Sequence, residues 1–152
     1  MRQSEEGQSR LCAHVPVTQF AAPVFPDIDF HNVGESEAKW VNRGALTIQA
    51  ETTSGEVTLR FEQVMQLRVT AWEVYEVLHD LTGSTDPIRS ERWDTVLALE
   101  ESKWIQESGD IATMRNHAFP EQINHFIVPL PDFVWDVAAT TVEIINNDLA
   151  KQ

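Results

Sequence analysis

Two alternating stretches around Ser54-Gly55 set the frame for the chain. Ala45 to Thr53 (ALTIQAETT) places Leu46, Ile48 and Ala50 on one side. Glu56 to Val64 (EVTLRFEQV) does the same with Val57, Leu59 and Phe61. A period of two marks a half-buried strand, and the Ser-Gly pair between the two stretches is a hairpin signal. The phase breaks near Val64-Met65, which predicts a bulge, before Leu67 and Val69 resume it.

Elsewhere the pattern is more broken. Residues 1–26 read as an extended N-terminal arm, its first ten polar residues mobile and its Pro16, Pro23 and Pro26 keeping it out of a central strand or helix. Asp27 to Val33 alternates as a short strand, and Gly34 to Gly44 reads as a polar loop holding Trp40. Ala71 to Leu81 has Trp72, Tyr75 and Leu78 at helical spacing and predicts a short helix. Arg92 to Leu99 reads as a strand, and Glu101 to Glu107 as a helical turn capped by Ser102, with Trp104 and Ile105 buried. Asn124 to Val128 and Val134 to Ala139 flank PLPDF, which predicts a second hairpin, and Thr140 to Ile145 continues the extended pattern. The fold class that follows is a β-rich α+β domain over residues 27–152. Its core is an antiparallel sheet or partly closed barrel with one or two short packed helices.

Charge changes the picture. The chain of 152 residues carries 24 Asp+Glu against 11 Lys+Arg, a net charge of -13, yet it is 42% hydrophobic and has five Trp. A disordered acidic tail lacks such a core, and one domain of this length buries enough surface to be self-sufficient. So negative a protein repels nucleic acid and anionic membranes and is suited to a basic partner. Between residues 70 and 120 stand ten acidic residues and four basic ones, a net of -6, with Trp72, Trp93 and Trp104 among them. Aromatic anchors ringed by charge are the anatomy of an interface. The alternative is that all three Trp are core residues which the acids merely cover, since Trp is largely buried on average.

Catalytic chemistry has little local support. Cys12 is the only cysteine, which excludes an intramolecular disulfide, and its nearness to His14 is all that suggests a Cys–His pair. Asp27, Asp29 and His31 share one strand face and form a candidate metal set, as do His117, Glu121 and His125 if a helix joins them, although Pro120 interrupts it. A solvated polar strand face accounts for the first set, and Asn124-His125 reads as a strand start rather than helix in the second. His14 and His79 read as packed imidazoles. The chain has no G-x-S-x-G, Gly-rich phosphate loop, H-E-x-x-H or C-x-x-C. Nor does it have an apolar run long enough for a transmembrane helix, or an apolar signal-peptide core at its start. The expectation is a cytoplasmic, non-enzymatic protein without metal or cofactor.

Several residues fall in a recurring order: Phe25-Pro26-Asp27, then Leu59, Phe61 and Val64, then Leu99, Glu100, Ser102, Trp104 and Ile105, and finally His125 to Val128, Asp132 and Trp135 to Ala139. This order, over roughly residues 25–145, resembles small uncharacterised bacterial proteins found among the immunity proteins of polymorphic toxin systems. The resemblance implies a cytosolic protein that binds and blocks a cognate toxin domain. It supplies no catalytic residues.

The reading is therefore a binding protein that neutralises a basic toxin domain by occluding its active site. Its expected partner-binding residues are Asp86, Glu91, Trp93, Asp94, Glu100 and Glu101. Two rivals stand beside it: an acidic nucleic-acid mimic or anti-defence protein, and a small metal-dependent hydrolase using Asp27, Asp29 and His31.

Overall fold

A computed structural model describes residues 18–30, 36–42, 44–79, 87–120 and 122–147. Cys12, His14, His31, Asp86 and Glu121, with the expectations attached to them, lie outside the described residues. The element order is β1 (Gln19–Pro23), β2 (Glu37–Asn42), β3 (Ala45–Thr52), β4 (Gly55–Glu62), β5 (Gln66–Ala71), α1 (Trp72–His79), β6 (Ile88–Arg89), β7 (Leu97–Leu99), α2 (Lys103–Met114), β8 (Asn124–Pro129), β9 (Phe133–Ala139) and β10 (Thr141–Asn147). The chain is the expected β-rich α+β fold.

The strands form a six-stranded sheet in the order β5-β9-β8-β7-β1-β6 and a four-stranded antiparallel sheet in the order β10-β4-β3-β2. The β1–β6 pair is parallel, which makes the larger sheet mixed. The hairpin at Ser54-Gly55 is present, with Thr52 opposite Gly55, whose φ of 130° suits glycine. The phase break after β4 is the end of the strand rather than a bulge within it: Gln63 has a φ of 51°, Val64 and Met65 lie outside any strand, and β5 belongs to the other sheet.

Four local expectations are corrected. The strand expected over Asp27 to Val33 does not form in its described part, where Phe30 makes only an isolated bridge to Thr52. Glu37–Asn42 is strand β2 rather than loop, paired with β3 through Lys39 opposite Thr47. It lies at the sheet edge with Trp40 and Val41 exposed, so no apolar alternation betrays it. Residues 19–23 form a strand between β7 and β6, not an edge-like arm. Proline is tolerated because Pro23 ends β1, beyond the two residues that pair with β6. Of the strand expected over Arg92 to Leu99, only Leu97–Leu99 forms.

The larger sheet is covered on both faces, which explains why apolar residues of β8 and β9 point to either side. Along β8, Phe126 and Val128 enter one core while Ile127 enters another. The first core lies between the two sheets, where Leu46, Ile48, Leu59 and Phe61 meet Phe126, Val128 and Val137. The Phe61 and Phe126 rings are 5.7 Å apart across it. The second core packs Leu97, Leu99, Ile127 and Val134 against Tyr75 of α1, with Trp72 and Trp93 at its border. His125 and Asp136 share this helix-facing side, because His125 lies opposite Ala138 and Ile127 opposite Asp136 in the β8–β9 ladder. Among the described residues, no helix is long and apolar enough to cross a membrane.

Candidate functional site

The helix-facing side of the larger sheet holds a chain of polar contacts in an otherwise apolar layer. Ser102 follows β7 across a two-residue turn, in which Glu101 adopts a φ of 52°. That left-handed conformation is strained for a residue with a Cβ, and it turns the chain sharply from strand into helix. Ser102 then caps α2 as expected: its Oγ accepts from the Ile105 N–H at 3.2 Å. The helix start is anchored a second time, where the Lys103 N–H donates to Gln19 Oε1 of β1 at 3.0 Å.

β7 and β8 pair with Leu99 opposite His125, which brings the imidazole under the helix start. Ser102 Oγ is 2.7 Å from His125 Nδ1. On the other side of the ring, His125 Nε2 is 2.6 Å from Asp136 Oδ1. The Asp136 side chain is fully buried and the His125 side chain 2% exposed. A carboxylate only accepts hydrogen bonds, so Nε2 carries the proton it shares with Asp136. In a neutral ring, Nδ1 then presents a lone pair to the Ser102 hydroxyl.

The surroundings hold this arrangement still. Arg68 Nε reaches the second Asp136 oxygen at 3.3 Å, and its guanidinium lies 4.6 Å from the Trp104 ring centre. Trp104 in turn meets His125 edge-on at 4.9 Å. Tyr75 packs on the same layer, 4.6 Å from the His79 ring, and its buried hydroxyl makes no hydrogen bond of ordinary geometry among the described residues, although Asp136 is near enough to act on it. Burial pushes the Tyr75 phenol far above its ordinary range, and the negative charge of Asp136 adds to the shift while Arg68 opposes it.

A cavity of about 710 Å³ opens beside Ser102 and His125, with Leu99, Ile105, Ile123 and Asn124 also on its wall. This is the size range of small-molecule sites. Glu100 and Glu101 stand on its lining, both exposed. Behind His125 a smaller pocket of about 80 Å³ is walled by Gln19, Arg68, His79 and Trp104.

The expected partner-binding residues do not form one cluster. Glu100 and Glu101 follow β7, whereas Asp94 precedes it, at the other end of the strand. Asp94 is exposed but already meets Arg92 Nε at 3.0 Å. Glu91 is exposed beside a shallow cavity of about 450 Å³ that Phe20, Ala22 and Pro23 also line. Trp93 is half-buried, with its ring 6.1 Å from both Trp72 and Tyr75. Its indole is thus a border residue of the second core.

The metal candidates fare differently from the polar chain. Arg92 holds the Asp29 carboxylate, and His117 lies exposed beyond α2 while His125 is buried on β8, so no helix unites those two histidines. Among the described residues, no three His, Cys, Asp or Glu side chains converge as a metal site. Sequence reasoning had Ser102 as a helix cap and missed its link to His125 and Asp136. The only sequence signal was that Ser102, Trp104, His125 and Asp136 fall within the motifs quoted above.

Comparisons of the chain with protein-family models, with curated proteins and with solved structures match nothing.

Proposed function

We propose that the protein binds and neutralises a basic protein partner, in the manner of a cytoplasmic immunity protein that occludes the active site of a toxin domain. The observation that carries this reading is the pair Glu100-Glu101, exposed side by side on the cavity of about 710 Å³ in a chain of net charge -13. Neither carboxylate takes part in an ion pair among the described residues. Their charge is therefore available to a cationic partner, and it speeds encounter through long-range attraction. Asp94 contributes less, because Arg92 already offsets it.

The test is capture from a lysate of the source organism on the immobilised protein at low salt, elution at high salt, and an activity assay on the eluted protein. The reading requires a basic protein whose activity is lost on adding one equivalent of this chain. No retention at low salt, or a captured protein left fully active, would overturn it.

A further inference from the structure

Ser102, His125 and Asp136 stand in the order that a nucleophile, its base and the base's orienting group require. The contacts of 2.7 Å and 2.6 Å are within the reach at which such groups act. Two further features favour loss of the Ser102 proton. The Ile105 N–H already donates to Oγ and would remain bonded to an alkoxide. Oγ also sits at the positive end of the 12-residue helix α2. Finally, half-buried Ser102 stands on the wall of the cavity of about 710 Å³, with the buried His125 ring behind it.

We propose that Ser102 is the nucleophile of an acyl-transfer site that accepts small uncharged or cationic esters, with His125 as general base and Asp136 as a positioning residue. The acyl class follows from the Ser102–His125 pair, and the wall of Leu99, Ile105 and Ile123 beside Asn124 suits a small uncharged acyl group. The exclusion of anionic substrates follows from Glu100 and Glu101 on the lining.

The chemistry balances without a cofactor. Ser102 Oγ attacks the ester carbonyl carbon as its proton passes to His125 Nδ1. Collapse of the tetrahedral intermediate breaks the carbon–oxygen bond to the alcohol, which leaves with the proton from Nδ1. Water then attacks the acyl-serine, giving its proton to Nδ1. Release of the carboxylic acid returns that proton to Ser102. Asp136 accepts from Nε2 throughout and keeps the ring in register. This inference does not rest on partner binding, and its test uses the full chain alone.

The experiment is covalent labelling with an uncharged fluorophosphonate, read by intact mass and peptide mapping, together with release of p-nitrophenol from p-nitrophenyl acetate. One adduct per chain on Ser102 is expected, with an initial burst of p-nitrophenol. Ser102→Ala removes both activities. Ser102→Asp also removes them but retains an N-cap acceptor, so it reports chemistry separately from helix stability. Labelling should fall by about 10²- to 10⁴-fold in His125→Gln, which keeps the Ser102 hydroxyl and loses its base, the range of general-base assistance. The adduct, where formed, stays on the same residue. Absence of any adduct on the folded wild type, adducts spread over other residues, or rates within threefold of Ser102→Asp would each overturn the proposal.

Discussion

Asp136 Oδ1 sits 2.6 Å from His125 Nε2, and the two side chains are diagonal neighbours on adjacent strands with almost no access to water. The pair is part of the sheet's framework, whatever else it does. Removing one partner of a buried polar pair leaves the other desolvated and unsatisfied. Asp136→Asn is therefore expected to lower unfolding free energy by about 3 kcal/mol, the low end of the cost of breaking a buried pair. Urea unfolding followed by Trp fluorescence measures it. A loss below about 0.5 kcal/mol, the range of ordinary surface changes, would show that the pair is not a structural tie.

Ser102 has a smaller structural share. Its N-cap bond to Ile105 is worth about 1 kcal/mol, so Ser102→Ala should cost about that much, and Ser102→Asp, which retains a capping oxygen, less. Hydrogen exchange should place the loss in the first turn of α2. Faster exchange confined to β8 would instead mean that the His125 contact is the stronger of the two.

Tyr75 gives the protein an alkaline limit. Its phenol is held neutral in the fold, with a pKa raised above the ordinary value of about 10 by burial first and by Asp136 second. Above that ordinary value the unfolded chain loses the proton while the folded chain keeps it, so stability falls as pH rises. The slope from this residue alone is about 1.4 kcal/mol per pH unit, and below pH 10 its contribution is constant. Tyr75→Phe should abolish that slope. Near neutral pH it should change stability by less than about 1 kcal/mol, because the hydroxyl makes no hydrogen bond of ordinary geometry among the described residues. Parallel unfolding curves for the two proteins between pH 9 and 11 would contradict this account.

Charge reversal separates surface from core. Glu100→Lys with Glu101→Lys should leave stability within about 0.5 kcal/mol, since both side chains are exposed and unpaired among the described residues. With the captured partner, the same variant should associate about tenfold more slowly at low salt and with a flatter salt dependence. Stopped-flow association at two ionic strengths decides it. Trp93→Ala is a poor probe of the same question. It should cost about 2 kcal/mol of stability by uncovering Trp72 and Tyr75, less than a fully buried Trp would.

What could be read from the chain was local. The hairpin at Ser54-Gly55 announces itself through a glycine and two strands in phase, and Ser102 through its place before a helical turn. The second hairpin was equally legible, since the PLPDF turn separates two apolar runs that became β8 and β9. The candidate site was not, because it depends on register across three strands. Ser102 and His125 are 23 positions apart and meet only through the β7–β8 ladder. His125 and Asp136 are 11 apart and meet only because the second hairpin sets them diagonally. A hairpin can be predicted without its register, and a slip of one residue would have turned either side chain to the opposite face. Strand β2 was hidden for a different reason: with Trp40 and Val41 exposed at an edge, its pairing comes from backbone contacts that side-chain patterns do not encode.

The place of β1 also orders events during synthesis. The first described strand to leave the ribosome finds both of its neighbours much later, Gln19 beside Ile88 and Ala21 beside Leu99. Until those residues emerge, its hydrogen-bonding edges have nothing native to join, and contacts so distant in sequence close slowly. The four-stranded sheet, by contrast, can pair β2, β3 and β4 as each arrives, leaving only β10 to come. Growth of the nascent chain thus proceeds around an early half-core, with the N-terminal strand waiting in solution as an unpaired template. A fusion partner that holds β1 against another surface would stall closure of the larger sheet.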